Sequence, residues 1–415
     1  MYKIINRKKR FLTILSDWIG NAITFPFRLF LLKQVSILPE NIQRILLVRT
    51  AYLGDVIMTL PILKPMKEQF PKASITVLTS HGGREILLNN PYVDDVMVYE
   101  PFWFYKTTVK DYLKFFSRIR KDRFDITIEA RADIRDILFL VFPARSKVKL
   151  SYAVGGGRCF LTHVAPYEGR KHKVEYHLDL VRYLGGRTDS IQWGIWLTEA
   201  EKEDVAQLLR KSGVSEPYLC VHPGGRLPLK RWPCDRWAIL CDRMIDRFQL
   251  PLLLLSAGTE IGLVREITGL MRNRPIILAG ETTIRQLSGV IAQASLLVCN
   301  DSAPMHIAAA LGTPTVAIFG PSKSVETGPY GRNHLVVEET FACRASCDES
   351  RCTNKHHHAC MESISLEDVF EGVEQQMGRM KTMATKNDLK KRDSASQIHC
   401  SINRGADCLH KECKG

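Results

Sequence analysis

"RILLVRTAYLGDVIMTLPIL", residues 44–63, joins the two periodicities that decide the fold. Ile45, Leu46, Leu47 and Val48 form an unbroken apolar run, the pattern of a strand buried on both faces. The run stops at Arg49, crosses a short loop containing Gly54, and turns into a helical pattern over roughly 55–69. Asp55 lies on that seam. Asp is a favoured N-cap, and the positive end of a helix keeps its carboxylate ionised, so on local chemistry capping alone explains it. A cap at the carboxyl end of a strand can also face a ligand, and a base is the second reading.

Strand and helix continue to alternate beyond this stretch. "SITVLTS" (74–80) precedes a turn at His81-Gly82-Gly83 and a helix, and "VMVYE" (96–100) and "DITIEA" (125–130) flank a helix around 106–121. A connecting region follows, with Gly155-Gly156-Gly157 and a helix over about 172–184 that ends at Gly185-Gly186. The pattern then restarts with the apolar runs at 218–222, 251–256, 275–278, 296–300 and 315–319. Such alternation predicts parallel sheets covered on both faces, and it occurs twice. The expected fold is α/β, two Rossmann-like doubly wound domains, 41–200 and 201–380, facing across a cleft with the boundary near 190–215.

A chain of 415 residues suits two domains, and its apolar and charged fractions, 45% and 25%, are those of a globular protein. The formal charge of +14 is concentrated at the ends, with +5 in residues 1–40 and +4 in 381–415. Basic ends suit an anionic membrane surface, and no basic-aromatic signature for nucleic acid is present. Residues 1–40 are too interrupted for a spanning helix or a signal peptide. Trp18, Phe25, Phe27 and Phe30 beside Lys8, Lys9, Arg10 and Arg28 read as an interfacial segment, or else as a helix docked on the protein itself. The polar, aperiodic stretch 381–415 reads as disordered. Twelve Cys without a secretory signal point to a reducing compartment, with Cys220, Cys241 and Cys299 as small core residues.

Four polar strand ends carry the chemistry. The first is the Asp55 seam. In "VHPGGRLPLKRWPCDRW" (221–237), His222 ends a strand, Gly224 and Gly225 let backbone approach a ligand, and Lys230 with Arg231 offers cations for a diphosphate. A solvated basic loop anchored by Trp232 and Trp237, ahead of a helix capped by Asp235, is equally consistent. In "LLVCNDSAPMHIAAALGTPTVAIFG" (296–320), a buried strand ends at Asn300. There Asp301 and Ser302 can accept sugar hydroxyls at a helix start, His306 follows one turn in, and Gly320 opens a second polar loop. Glu260, in "SAGTEIG" (256–262), can grip a ribose or merely favour a helix N-terminus. No G-x-G-x-x-G follows any strand, which argues against a nicotinamide-dependent oxidoreductase.

In this order and spacing, "RILLVRTAYLGDVIMTLPIL", "VHPGGRLPLKRWP" and "NDSAPMHIAAALGTPTVAIFGPS" resemble glycosyltransferase family 9, the bacterial heptosyltransferases of lipopolysaccharide core synthesis. The resemblance spans about 44–370 and implies a GT-B fold that binds its acceptor on the first domain and an NDP-sugar, typically ADP-heptose, on the second. It implies inverting transfer without a cofactor to a lipid-linked glycan, at the cytoplasmic face of the inner membrane. It makes Asp55 the base and Lys230 the counter-charge to the leaving diphosphate, with Asp301, Ser302 and His306 holding sugar and phosphates. A non-catalytic nucleotide-sugar- or lipid-binding relative, or a transferase of another NDP-sugar, is the alternative. Cys343, Cys347, Cys352 and Cys360, spaced C-x3-C-x4-C-x7-C, suggest either a structural Zn²⁺ or a reduced surface loop.

Overall fold

The computed structural model describes residues 41–379 except 346 and 348, and, nearer the N-terminus, residues 11, 13–15, 17–20 and 22. The membrane-surface reading of 1–40 falls mostly outside these residues, and the disordered-tail reading of 381–415 entirely outside them.

Two six-stranded sheets organise the chain. The first holds β1 (Arg44–Val48), β2 (Ser74–Thr79), β3 (Asp95–Val98), β4 (Ile126–Glu129), β5 (Val148–Ser151) and β6 (His163–Val164). The second holds β7 (Leu219–His222), β8 (Leu252–Leu254), β9 (Ile276–Ile277), β10 (Leu296–Asn300), β11 (Thr315–Phe319) and β12 (His334–Glu338). Their orders are β3-β2-β1-β4-β5-β6 and β12-β11-β10-β7-β8-β9, with every pair parallel. In each, the chain moves outward for three strands and then returns to the far side of the first. The order therefore reverses between β1 and β4 and between β7 and β10, and crevices at the strand ends open at such reversals.

Burial on both faces explains the unbroken apolar runs. Ile45 and Leu47 of β1 pack with Val56, Ile57 and Met66, while Leu46 and Val48 face Phe115 and Ile119 on the other side. Fully burying one such side chain contributes about 1.5–3 kcal/mol. β7 is divided in the same way, with Leu219 and Val221 against Trp232 and Trp237, and Cys220 beside Leu297 and Cys299. The two tryptophans meet edge to face at 5.3 Å, and both are buried, as are Cys220, Cys241 and Cys299.

The structure corrects four expectations. The stretch whose spacing suggests only a connection also holds β5 and β6, and β12 follows Gly320. β5 and β6 are short and carry Lys149 and His163, so ladder pairing rather than an apolar run defines them. The helix expected over 55–69 is three pieces, Leu53–Ile57, a 3-10 turn Leu60–Ile62, and Leu63–Gln69. Pro61 has no N–H to offer Ile57 O. Trp193 Nε1 donates to that carbonyl at 3.1 Å instead, and His177 Nδ1 donates to Met58 O at 2.9 Å. Burial pushes His177 down to about 3, so its ring is neutral with the proton on Nδ1. Asp235 is not a cap: it lies in the first turn of Cys234–Phe248, behind Pro233, and no side chain caps that helix. Gly157 N–H donates to buried Asp17 at 2.7 Å, which docks the described N-terminal residues on the first domain and leaves Phe11 and Trp18 exposed.

Candidate active site

Both sheet reversals open into one cleft of about 640 Å³. Asp55 and Arg131 reach it from the ends of β1 and β4, and His222 and Asp301 from the ends of β7 and β10.

On the first wall, Asp55 is the third residue of Leu53–Ile57 and makes no cap hydrogen bond. Its carboxylate goes to Arg49, whose Nη2 lies 2.7 Å from Oδ1, and Lys173 Nζ stands 3.8 Å away. Arg49 is fixed in turn by donating Nη1 to Ala130 O and Nε to Asp55 O, both at 3.3 Å. Burial works to raise the Asp55 pKa, but Arg49, Lys173 and Arg131 outweigh it and hold the carboxyl well below its usual range. The helix-capping explanation fails here, and a paired carboxylate facing the cleft takes its place.

Gly54 lies between Asp55 and the second domain. A Cβ there would stand 2.6 Å from His306 Cδ2, so the His306 ring packs on the backbone of the Asp55 turn. Burial pushes His306 down to about 4, leaving it neutral, and its Nδ1 has no hydrogen-bond partner among the described residues. Tyr52, at φ 24°, carries Arg226 of the opposite wall over its ring at 4.3 Å, a second contact across the cleft.

On the second wall, Lys230 Nζ lies 2.7 Å from Asp301 Oδ2 and 2.8 Å from Glu349 Oε2. Burial disfavours the ammonium, but Asp301 and Glu349 more than reverse this and raise its pKa above the ordinary lysine value. Ser322 Oγ donates to the same Asp301 oxygen. Ser302 is the cap residue of Ala303–Leu311, and its Oγ lies 3.4 Å from His222 Nδ1. Glu260 accepts from Gly225 N–H at 2.7 Å and pairs with Arg231 at 3.1 Å, while Arg231 Nε donates to Gly225 O at 2.8 Å. Glu260 and Arg231 thus hold the glycine loop in shape. A Cβ on Gly224 would stand 2.2 Å from Glu260 Oε2, so a side chain there would have to displace the carboxylate that holds the loop. Asn300 Nδ2 donates to Pro223 O at 2.6 Å and ties that loop to β10.

The cleft therefore gathers Asp55, Lys230, His222, Gly225, Glu260, Asp301, Ser302 and His306. Gly320 instead packs against Met361, behind the cleft, and Ser322 two residues later is the group that meets Asp301. Arg49, Lys173 and Glu349 escaped the sequence reading. Arg49 could have been found, since it ends β1 beside Asp55. Lys173 and Glu349 arrive from distant segments and carry no local signal.

Cys343, Cys347, Cys352 and Cys360 line one cavity of about 20 Å³. Burial, reinforced by the other three thiols, pushes Cys360 up to about 11. His358 Nε2 is committed to Leu229 O at 2.9 Å. Among the described residues, no group of three or more His, Cys, Asp or Glu side chains is arranged to hold a metal ion.

The chain is similar to known proteins in sequence and in fold. The chain is 28% identical over 296 residues to lipopolysaccharide heptosyltransferase 3 of Escherichia coli K12, covering 68% of this chain and 84% of that protein. It is 26% identical over 311 residues to lipopolysaccharide heptosyltransferase 2 of the same strain, covering 71% and 88%. Its fold is similar to that of a family 9 glycosyl transferase from Veillonella parvula, with a TM-score of 0.71 at 21% identity, covering 82% of this chain and 98% of that one. The E. coli ADP-heptose lps heptosyltransferase II structure gives a TM-score of 0.67 at 22% identity, covering 82% and 100%. The family model for glycosyltransferase family 9 (heptosyltransferase) matches residues 112–358, more than half of the sequence, and the chain belongs to that family.

Proposed function

We propose that this enzyme moves a heptose from ADP-heptose to a hydroxyl of a lipopolysaccharide-core acceptor, inverting the anomeric centre. One observation carries the reading: a carboxylate held ionised by Arg49 and Lys173 shares a cleft with a lysine–aspartate pair beside a glycine loop and a helix start. The acceptor is assigned to the wall built by residues 41–200 and the donor to that built by 201–380.

In this scheme the acceptor oxygen attacks the anomeric carbon as the bond to the diphosphate breaks, and the electron pair leaves with the phosphate oxygen. The acceptor O–H becomes strongly acidic as its new C–O bond forms. A low-pKa carboxylate such as Asp55 can then accept the proton. Lys230 and the backbone donors at the start of Ala303–Leu311 are positioned to balance charge on the departing diphosphate. Asp301, Ser302 and His222 supply hydrogen-bonding groups for the sugar.

We also place the enzyme on the inner face of the bacterial inner membrane as a peripheral protein. No helix among the described residues is long and apolar enough to cross a membrane. Phe11 and Trp18 are exposed, and in the sequence they follow the basic Lys8-Lys9-Arg10 run, which supports surface binding. Removing residues 1–35 should abolish co-flotation with anionic vesicles, and retained flotation would refute the anchor.

The activity is tested by incubating the full chain with ADP-heptose and a truncated lipopolysaccharide core. ADP release with a matching gain of one heptose in acceptor mass is expected. Absence of both, with ADP still bound, would defeat the assignment of donor sugar or acceptor.

A further inference from the structure

Lys230 carries two carboxylates. Asp301 belongs to the donor wall and is fastened again by Ser322. Glu349 comes from the cysteine-rich segment, which otherwise takes no part in the chemistry, and it reaches Nζ at 2.8 Å inside the cleft. The segment is clamped to the same loops. His358 donates to Leu229 O at 2.9 Å, next to Lys230, and Arg344 donates to Ser322 O while pairing with Glu338 at 2.6 Å. Of the two carboxylates, Asp301 is 7% exposed and Glu349 35%, so Glu349 is the one on the open side.

The charge balance of this triad is wrong for a diphosphate site at rest. One ammonium facing two carboxylates leaves the spot at net −1, and a nucleoside diphosphate sugar brings two more negative charges. An ammonium has three donors on a compact charge, so it can exchange one anionic partner for another without moving. Asp301, buried and doubly held, is the partner that stays.

We propose that Glu349 is a further donor-site residue, which occupies the diphosphate's place on Lys230 in the empty enzyme and is exchanged for it on donor binding. While the site is empty, the carboxylate keeps Lys230 aligned and its charge paired. Once the sugar has left, the free nucleoside diphosphate carries more negative charge than the donor did. The returning carboxylate therefore opposes product more strongly than substrate. The inference rests on the reading of Lys230 as the cation that faces the diphosphate.

The test is calorimetric titration of ADP and of ADP-heptose into the full-length protein and its Glu349→Gln, Glu349→Ala and Lys230→Ala variants. Removing a like charge from the site should tighten ADP binding roughly tenfold in both Glu349 variants, and ADP-heptose binding by a smaller factor. Such a gain cannot come from a folding defect. A Glu349 that merely shaped the loop, or that bound a sugar hydroxyl, would give equal or weaker ADP binding on substitution. That result in both variants overturns the proposal. Lys230→Ala separates the two levels. If it leaves ADP affinity unchanged, the Lys230 reading itself fails. If it weakens ADP binding while the Glu349 variants show no gain, only the Glu349 assignment fails.

Discussion

Gly54→Ala probes the contact that brings the two walls of the cleft together. The added methyl would stand 2.6 Å from His306 Cδ2 and 3.2 Å from Nε2, whereas carbon atoms settle at about 3.5–4.0 Å. The nearest pair must therefore separate by about 1 Å. In an unobstructed helix the same substitution stabilises by about 0.5–1 kcal/mol. Overpacking at a buried contact costs about 1–3 kcal/mol, so a net loss of about 1 kcal/mol is expected. The larger consequence is geometric, because the displaced turn carries Asp55. A misplacement of about 1 Å at a reacting group can cost on the order of 100-fold in rate. The assay pairs thermal melting with transfer kinetics and ADP binding, and it includes His306→Ala and the double variant. Transfer should fall far more than stability, ADP affinity should change little, and His306→Ala should restore the stability lost by Gly54→Ala. A Gly54→Ala enzyme that is more stable than the parent and fully active would show that the contact does not set the active geometry.

Two further predictions concern charge. Arg49→Ala removes the strongest of the groups that lower the Asp55 pKa and leaves burial to raise it, so the acid limb of kcat/KM should move to higher pH. An unmoved limb would show that Arg49 does not control Asp55. Because the folded pKa of Asp55 is depressed, its ionisation contributes stability above about pH 4, lost as pH falls through the folded value, and Arg49→Ala should remove that contribution. Buried Arg285 joins the domains, donating to Glu201 by two bonds of 2.7 Å, to Trp196 O at 2.6 Å and to Glu85 O at 3.0 Å. With Glu201 partly exposed, Arg285→Ala should cost about 3 kcal/mol, at the low end for breaking a buried pair. Arg285 is the main reason Glu201 is held down at about 2, so the difference between parent and variant in chemical unfolding should shrink as pH falls from about 4 to 2. A pH-independent difference would assign the loss to the carbonyl contacts alone.

The legible parts of this molecule are those in which physics acts on neighbouring residues. Apolar runs such as Ile45–Val48 and Leu296–Cys299 mark strands covered on both faces, and the polar residues that end them mark the cleft. Asp55, Lys230 and Asp301 could be picked out because each follows such a run. What could not be read depends on contacts between distant segments. Two short strands, β5 and β6, are defined by pairing with β4 and with each other rather than by composition. Pro61 signals a helix break, but only the structure shows Trp193 and His177 satisfying the carbonyls nearby. Local chemistry makes Asp55 a cap and the family resemblance makes it the base, but only the structure shows Arg49 and Lys173 beside it. Gly320 looked like a loop residue of the site, yet it serves to admit Met361. Glu349 was hidden among cysteines that drew attention to metal chemistry.

In the proposed mechanism Asp55 accepts the acceptor's proton while Lys230 and its neighbours hold the donor. Asp55→Asn keeps the size of the side chain and most of its hydrogen bonding but removes the charge and the basicity. Single-turnover transfer from ADP-heptose, measured beside ADP affinity on the same preparation, separates the two roles. Transfer should fall by about 100-fold or more, in the range of general-base catalysis, with ADP affinity within about twofold of the parent. Transfer near the parental rate by a folded, ADP-binding Asp55→Asn enzyme would contradict the mechanism.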